Sequence, residues 1–183
     1  MLLTITRMLE DSEIQWLAIG ELGLFLYNIS QDFNKIEILV SEDMHSEVHE
    51  VFSKSFATFK APEYIESRYY ASNTSIYYHK ILQIDVFSGI VLKLNENTAS
   101  TPFTLLKHTA QPFPFHGIKI AVPSLEWFYL FYYVNPLEPE IFHKIIEKLH
   151  QTGINYVLLN EYLKFLPENE KNLILKPLRE TYS

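Results

Sequence analysis

The chain has 183 residues, of which 48% are apolar and 20% are charged, as is usual for a soluble globular protein with one domain or with a core and a helical appendage. It contains no cysteine, which excludes a disulfide framework, a thiolate zinc site and a thiol nucleophile. The net charge of −7 comes without a basic run, so duplex nucleic acid is disfavoured as a partner, because phosphate binding needs clustered lysine and arginine.

The first forty residues predict two helices that alternate with two strands. Apolar residues at positions 2–9 have helical spacing, whereas residues 16–19 are short and continuously apolar, which is typical of a buried strand. Gly20 permits a close approach of the backbone, and residues 21–27 predict a short, mostly apolar helix. A second strand is predicted at 35–40.

The strand predicted at 35–40 carries polar and apolar side chains in alternation. This places Lys35 and Glu37 on one face and the apolar residues between them on the other. Residues 41–43 are suited to cap a helix that runs to about residue 55.

The rest of the chain predicts a β-rich stretch followed by helices. We expect strands at 65–70, 75–79, 82–87 and 118–122, a turn at 71–74, a loop at 113–117, and helices at 125–134, 139–151, 156–165 and 168–178. Ser124 is placed to cap the first of these helices, and Gly153 to end the second in a left-handed conformation. The chain therefore divides into an α/β core, residues 1–122, and a helical region, residues 123–183, packed on that core.

The layout of residues 15–40, QWLAIGELGLFLYNISQDFNKIEILV, resembles the opening of the nucleotidyltransferase superfamily, which includes the minimal nucleotidyltransferases and the DNA polymerase β-like fold. That family begins with a strand, a Gly-Ser that opens a helix, and a strand bearing Asp-x-Asp. The segment IAVPSLEWF at 120–128 continues the resemblance, which spans most of the chain. It implies an α/β (α+β) fold, in which helices flank a small mixed β-sheet and the C-terminal part is helical.

At the functional positions of this family the chain carries different residues. In the family, three acidic residues hold two divalent cations, and the Gly-Ser turn holds the triphosphate of the substrate. Here Glu21 follows Gly20 in place of the serine, Lys35 replaces the first aspartate, and Glu37 replaces the second. Asp85, a lone acid in an apolar stretch, fits the third position. The resemblance thus implies Gly20 and Glu21 as cofactor-binding positions, Glu37 and Asp85 as metal and catalytic positions, and Lys35 as a substituted one.

Electrostatics predicts that these substitutions weaken the site. Mg²⁺ is held mainly by carboxylate oxygens and water, so an ammonium group at Lys35 removes a ligand and repels the ion by several kcal/mol at ~4 Å and an effective dielectric of ~20. Lys35 would instead pair with Glu37 or Asp85, or replace a cation against a phosphate. Purely structural roles stay open: a solvated strand face for Lys35 and Glu37, a buried ion pair for Asp85, and a helix-start acid for Glu21.

The leading hypothesis for function is a nucleotidyltransferase-like protein that is catalytically weakened or inactive and keeps a nucleotide-binding or protein-interaction role. The resemblance includes minimal members that act with an all-helical partner in toxin–antitoxin pairs. The alternative is an active enzyme that uses Mg²⁺ and a nucleoside triphosphate to transfer a nucleotide to a small molecule, a protein or RNA. If any ligand binds, we expect it in a cleft lined by Gly20, Glu21, Lys35, Glu37 and Asp85, with an affinity that depends little on Mg²⁺.

Three further expectations concern metal, self-association and location. His45 and His49 share a helix face, a spacing that zinc ligands sometimes have, although a solvated face is the simpler interpretation. The aromatic helix at 125–134 is apolar on several sides and favours a homodimer. The first residues lack the pattern of a secretory leader, and the longest apolar run is shorter than the ~20 residues of a membrane span, so we expect a cytoplasmic protein without a membrane partner.

Overall fold

The computed structural model describes residues 1–94, 97–135 and 138–180, which form eight α-helices and eight β-strands. In chain order these are α1 Leu2–Asp11, β1 Trp16–Ile19, α2 Gly20–Leu26, β2 Lys35–Val40, α3 His45–Ser53, β3 Ala57–Glu66, β4 Tyr70–His79, β5 Leu82–Leu94, β6 Asn97–Ser100, α4 Phe103–His108, β7 Gln111–Phe115, β8 Ile118–Val122, α5 Leu125–Val134, α6 Pro139–Thr152, α7 Tyr156–Tyr162 and α8 Glu168–Arg179. A 3₁₀ turn at Glu42–Met44 precedes α3.

Six strands form one mixed sheet, which confirms the mixed sheet that the family resemblance implies. The order is β1-β2-β5-β4-β3, with β6 paired to the later part of β5, and β7 and β8 form a separate two-stranded ribbon. Strands β2 and β5 are parallel, whereas the other neighbours in the large sheet are antiparallel. The parallel pair lies inside the sheet, so any polar side chain on it must find partners there.

Apolar residues at alternate positions of β2 and β5 form a buried face of the sheet. Ile36 and Ile38 on β2 and Ile84 and Val86 on β5 are fully buried. Burial of each such side chain contributes about 1.5–3 kcal/mol, which fixes the register of the two strands. With that register fixed, the intervening residues of β2 and β5 share the opposite face of the sheet.

The hairpin between β3 and β4 differs from the prediction. The turn expected at 71–74 is wrong, because those residues lie inside β4, and the strand expected at 65–70 contains the real turn. Ser67 closes this turn: its hydroxyl oxygen accepts hydrogen bonds from the N–H groups of Tyr69 at 3.2 Å and Tyr70 at 3.0 Å. The small residues that suggested a turn are buried in β4, where the hydroxyls of Ser72 and Thr74 bond each other at 2.9 Å.

The loop predicted at 113–117 is also wrong, because most of it belongs to strand β7. Its prolines, Pro112 and Pro114, occupy alternate positions of a two-stranded ribbon, opposite Ala121 and Lys119. Proline is tolerated where its missing N–H faces away from the partner strand, as in an edge strand. The turn itself contains only His116 and Gly117, both with positive φ.

The four C-terminal helices lie close to their predicted positions, but the predicted side-chain cap by Ser124 is wrong. The Ser124 hydroxyl makes no capping bond and instead lies 3.3 Å from the hydroxyl of Tyr162. Gly153 follows α6 with a positive φ of 92°, but its ψ of 128° lies outside the left-handed helical conformation, so the predicted left-handed cap is wrong. The division of the chain at residue 122 stays a prediction.

The aromatic helix α5 is covered within the chain itself. Trp127, Phe128 and Tyr129 are almost completely buried, and Phe128 packs so tightly on α2 that Gly23 has no room for a side chain. The Tyr129 hydroxyl donates a hydrogen bond to the carbonyl of Ile174 on α8. The apolar sides of α5 are therefore largely accounted for by one copy of the chain, and the homodimer stays a prediction. Within the described ranges, every helix is too short or too polar to cross a membrane.

Candidate functional site

The candidate site begins at the junction of β1 and α2. Gly20 has φ +53°, a backbone conformation that residues with a Cβ rarely adopt. A Cβ atom at this position would overlap the carboxylate of Glu37 on the neighbouring strand. The glycine therefore provides both the turn into the helix and the space that the Glu37 side chain occupies.

Both oxygens of the Glu37 carboxylate have partners. Oε1 lies 2.8 Å from the ammonium nitrogen of Lys35, and Oε2 accepts a 2.8 Å hydrogen bond from the backbone N–H of Glu21. The residue is only 8% exposed, so these contacts replace water around a buried negative charge. The Glu21 N–H, in the first turn of α2, thus already donates to a side chain of the protein.

Asp85 lies beside Glu37, because the two residues are register partners in the parallel pair of β2 and β5. Its carboxylate accepts hydrogen bonds from the Gln83 amide, at 2.8 Å to Oδ1 and 3.0 Å to Oδ2, and Oδ2 is 4.0 Å from Lys35 Nζ. The Tyr78 hydroxyl donates a 2.9 Å hydrogen bond to the side-chain oxygen Oε1 of Gln83 and so holds the Gln83 amide in place. Gln83 was not predicted as a site residue, although its position two residues before Asp85 places it on the same strand face.

The titration behaviour of this cluster follows from burial and from the opposite charges. Burial alone would lower the pKa of Lys35, but the neighbouring carboxylates of Glu37, Asp85 and Glu21 raise it overall, so the ammonium stays charged at neutral pH. Burial raises the pKa of Glu37, and Lys35 opposes that shift. Burial likewise raises the pKa of Asp85, against the hydrogen bond from Gln83 and the charge of Lys35.

The Glu21 side chain turns toward the loop that precedes β2. Its carboxylate accepts a 2.7 Å hydrogen bond from the backbone N–H of Asn34. Glu21 therefore contributes its N–H to Glu37 and its carboxylate to the loop, and both contacts brace the strand–helix–strand unit.

A cavity of about 130 Å³ adjoins the cluster. Of the predicted cleft residues, Gly20, Glu21, Lys35 and Glu37 line it, whereas Asp85 does not. The opposite wall is formed by residues that our sequence analysis did not place there, namely Tyr70, Phe87, Ile90, Trp127, Phe131, Tyr132, Asn135 and Glu138. Most of this wall belongs to α5 and the residues after it, and its position depends on tertiary packing.

The aromatic wall is closely packed. The rings of Trp127 and Phe131 stack with centroids 5.4 Å apart, and Tyr70 lies 5.6 Å from Phe131. Burial raises the pKa of Tyr132, and the charges of Glu138, Glu37 and Glu21 raise it further. Tyr132 therefore remains a neutral phenol beside the acidic residues.

Comparison with solved structures identifies the architecture. The chain is similar to a Thermotoga maritima protein assigned as a nucleotidyltransferase, with a TM-score of 0.63, 21% identity, and coverage of 82% of this chain and 91% of that one. It is also similar to the antibiotic-resistance factor ANT(2″)-Ia in solution, with a TM-score of 0.58, 11% identity, and coverage of 89% of each chain. The chain has a nucleotidyltransferase-like fold. A structure of ANT(2″)-Ia in complex with adenylyl-2″-tobramycin gives a TM-score of 0.51 at 11% identity, covering 100% of this chain and 97% of that one.

The sequence alone gives no match to any protein-family model or to any curated protein. The likeness is therefore one of nucleotidyltransferase-like architecture, and the activity must be argued from the residues at the site.

The donor set at the site does not fit the divalent cations associated with the nucleotidyltransferase fold. Mg²⁺ is held mainly by carboxylate oxygens and water, and it prefers carboxylates whose charge is not already balanced by another cation. Here Gln83 bonds both oxygens of Asp85, while Lys35 and the N–H of Glu21 take one oxygen each of Glu37. A cation at this point would also lie beside the ammonium group of Lys35, which repels it.

The second metal candidate, the pair His45 and His49, is divided between separate contacts. His45 is buried, which makes the expectation of a solvated face wrong for it, and its ring nitrogens lie 2.7 Å from the Ser88 hydroxyl and 2.9 Å from the Ser75 hydroxyl. His49 bonds the Tyr77 hydroxyl at 2.8 Å. Burial, with a smaller contribution from His49, lowers the pKa of His45 to about 4. Among the described residues, no three histidine or acidic side chains are grouped to hold a metal.

Proposed function

We propose that this chain is a catalytically inactive relative of the nucleotidyltransferases that binds a small neutral or zwitterionic group without a metal ion. The observation that supports this most strongly is the 2.8 Å contact between Lys35 Nζ and Glu37 Oε1, made while Glu37 Oε2 accepts the Glu21 N–H. In this arrangement an internal ion pair occupies the place where a transferase would bring metal and triphosphate together.

Charge supports the same conclusion. The cluster contains one ammonium and two carboxylates, and the Glu21 carboxylate is nearby, so its field repels a polyphosphate unless cations accompany it. A neutral group, or one with both charges, enters this field at much lower cost. The aromatic wall of Tyr70, Trp127 and Phe131 offers a flat apolar surface against which such a group can pack.

The volume of the cavity supports the proposed ligand as well. The cavity of about 130 Å³ is smaller than the ~300–1,000 Å³ of most ligand pockets and suits a group of nucleobase size better than a whole nucleotide. One structural neighbour binds an adenylylated compound, which makes nucleosides and nucleotides the natural first probes for this chain.

Calorimetric titration with ATP, CTP, GTP and UTP, and with the four nucleosides, tests the proposal when run with and without Mg²⁺. We expect wild type to bind no triphosphate in a Mg²⁺-dependent manner, and any nucleoside that binds to do so equally in both conditions. Lys35→Asp, which restores a third carboxylate, should gain Mg²⁺-dependent binding of triphosphates.

A transfer assay covers the rival function, an active nucleotidyltransferase. Wild type is incubated with α-labelled triphosphates and Mg²⁺, and transfer of label to protein, RNA or added small molecules is measured. We expect none above a blank without protein. Label transfer that disappears in Asp85→Ala would overturn the proposal in favour of catalysis.

A further inference from the structure

A second, larger cavity lies at the opposite end of α2 from Gly20. It has a volume of about 750 Å³, within the range of small-molecule sites, and it lies between β7, the start of α5 and the C-terminal end of α6. None of its lining residues lines the cavity beside Lys35. Its chemistry is therefore independent of the function proposed above.

The chemically distinctive residue of this cavity is Glu126, in the first turn of α5. The residue is only 6% exposed, yet it forms no ion pair with any described residue. Its Oε1 accepts a 2.9 Å hydrogen bond from the backbone N–H of Asn155, whereas Oε2 has no hydrogen-bond partner among the described residues. Among the described residues, the enclosed side-chain oxygens without a partner are those of Thr6, Asn135 and Glu170, so the second oxygen of Glu126 is reached from the cavity and can meet a donor from outside the chain.

The charge of Glu126 acts on the groups around the cavity. Burial raises the pKa of Tyr27, and Glu126 raises it further. For Tyr162, which lies beneath the cavity wall, burial is again the main cause of a raised pKa, and Glu126 adds to it. Both phenols therefore lie close enough to the Glu126 carboxylate for its charge to act on them.

The cavity walls add an apolar surface and leave the basic side chains near solvent. The Tyr27 and Phe113 rings meet edge to face with centroids 4.7 Å apart, and Leu149 closes the other side. Lys148 is half-buried and His108 is exposed, whereas Glu126 is buried apart from the side that lines the cavity. Because water and salt screen the more exposed basic groups more strongly than the buried Glu126, we expect Glu126 to decide the sign of the ligand.

We propose that this cavity binds a small primary amine with an aromatic or apolar body. The ammonium group donates to the free oxygen of Glu126, and the body packs against Tyr27 and Phe113. The contact is a charge-assisted hydrogen bond to a buried acceptor, which is among the stronger polar contacts available to a protein.

The test uses three probes of the same shape and different charge: 2-phenylethylamine, 2-phenylethanol and phenylacetate. They are titrated calorimetrically into wild type, Glu126→Gln, and the control Glu147→Gln, which removes an exposed acid on α6. The glutamine amide oxygen at position 126 can still accept the Asn155 N–H, so this variant removes the charge and keeps the structural bond. We expect the amine to bind wild type and Glu147→Gln alike, about tenfold or more weakly to Glu126→Gln, and more tightly than the alcohol or the acid.

Three results would overturn the proposal: equal affinity of the amine for wild type and Glu126→Gln, tighter binding of phenylacetate through Lys148 or His108, or no saturable binding of millimolar amine. Amide chemical-shift mapping on wild type gives a test that does not depend on the folding of a variant. We expect 2-phenylethylamine to shift the signals of Gly153 and Asn155, which line the cavity. Shifts confined to the surroundings of Gly20 and Lys35 would contradict the assignment.

Discussion

The carboxylate of Glu37 occupies the space that a side chain on Gly20 would need. This relationship connects the two halves of the candidate site, because the same carboxylate accepts the N–H of Glu21, in the first turn of α2, and pairs with Lys35. The N-terminal end of α2, where an anion could bind, is thus occupied by the carboxylate of Glu37. A substitution at Gly20 or at Lys35 is therefore expected to disturb the same Glu37 carboxylate.

Gly20→Ala should destabilise the protein by about 2–4 kcal/mol. The methyl group must displace the buried Glu37 carboxylate from its partners, and the residue must also keep φ +53°. Gly117→Ala is the matched control, because Gly117 has φ +86° but nothing within 4 Å of its Cβ position, so only backbone strain is added. Urea denaturation measures both changes, and equal losses for the two variants would show that the Glu37 contact contributes little.

Lys35→Met should destabilise the protein by about 2 kcal/mol at pH 7.5, since it leaves Glu37 and Asp85 buried without a counter-charge. Loss of one partner of a fully buried pair costs ~3–5 kcal/mol, and the 34% exposure of the Lys35 side chain reduces that figure through solvent screening. Lys164→Met, which breaks an exposed pair with Glu161, should cost less than ~1 kcal/mol.

The stability of Lys35→Met should also depend on pH more strongly than that of wild type. The pKa values of Glu37 and Asp85 are already raised by burial, so the folded state binds protons more readily than the unfolded state above the unfolded value of 4.5 for Glu37. Stability contributed by these acids therefore falls as pH rises above that value. Loss of Lys35 should steepen this fall, and Lys35→Met/Glu37→Gln should recover part of the lost stability. Parallel stability curves for wild type and Lys35→Met between pH 5 and 8 would contradict the coupling.

The unit from β1 to β2 could be predicted from local rules, whereas the grouping of Asp85 with Lys35 and Glu37 could be predicted only with the help of the family resemblance. Period-two alternation puts Lys35 and Glu37 on one strand face, and a glycine between a short strand and an apolar helix marks a tight junction. The pairing of β2 with β5 then brings Asp85 alongside. The expectation that Asp85 belongs with Lys35 and Glu37 came from the resemblance to the nucleotidyltransferase superfamily.

Neither local rules nor the resemblance predicted the aromatic wall of the cavity beside Lys35 or the hydrogen bonds from Gln83 to Asp85. Trp127 and Phe131 are distant in sequence from β2, and an apolar helix does not disclose which of its sides will face a cavity. The turn between β3 and β4 was misplaced for a related reason, since Ser72 and Thr74 resemble turn residues until their burial is known. The larger cavity beside Glu126 likewise results from packing between distant elements.

His45 should make stability depend on pH in the mildly acidic range. Its pKa is lowered from 6.5 to about 4 in the folded state, so its contribution is fully present above pH 6.5 and is lost as pH falls toward 4. Relative to His45→Gln, wild type should lose up to about 1.4 kcal/mol per pH unit in this window. His150→Gln, on the surface of α6, controls for the removal of a histidine. A flat difference between wild type and His45→Gln from pH 6.5 to 4.5 would show that His45 is protonated without cost.

The central claim is that the internal ion pair of Lys35 with Glu37 excludes a divalent cation, and paramagnetic resonance of Mn²⁺ tests it without knowledge of the substrate. Free Mn²⁺ is titrated against wild type, Lys35→Asp and Lys35→Asp/Asp85→Asn, each with and without ATP. We predict no stoichiometric Mn²⁺ site in wild type under either condition, a site in Lys35→Asp, and its loss when Asp85 is also changed. Stoichiometric binding of Mn²⁺ to wild type that is abolished by Asp85→Asn would contradict the account.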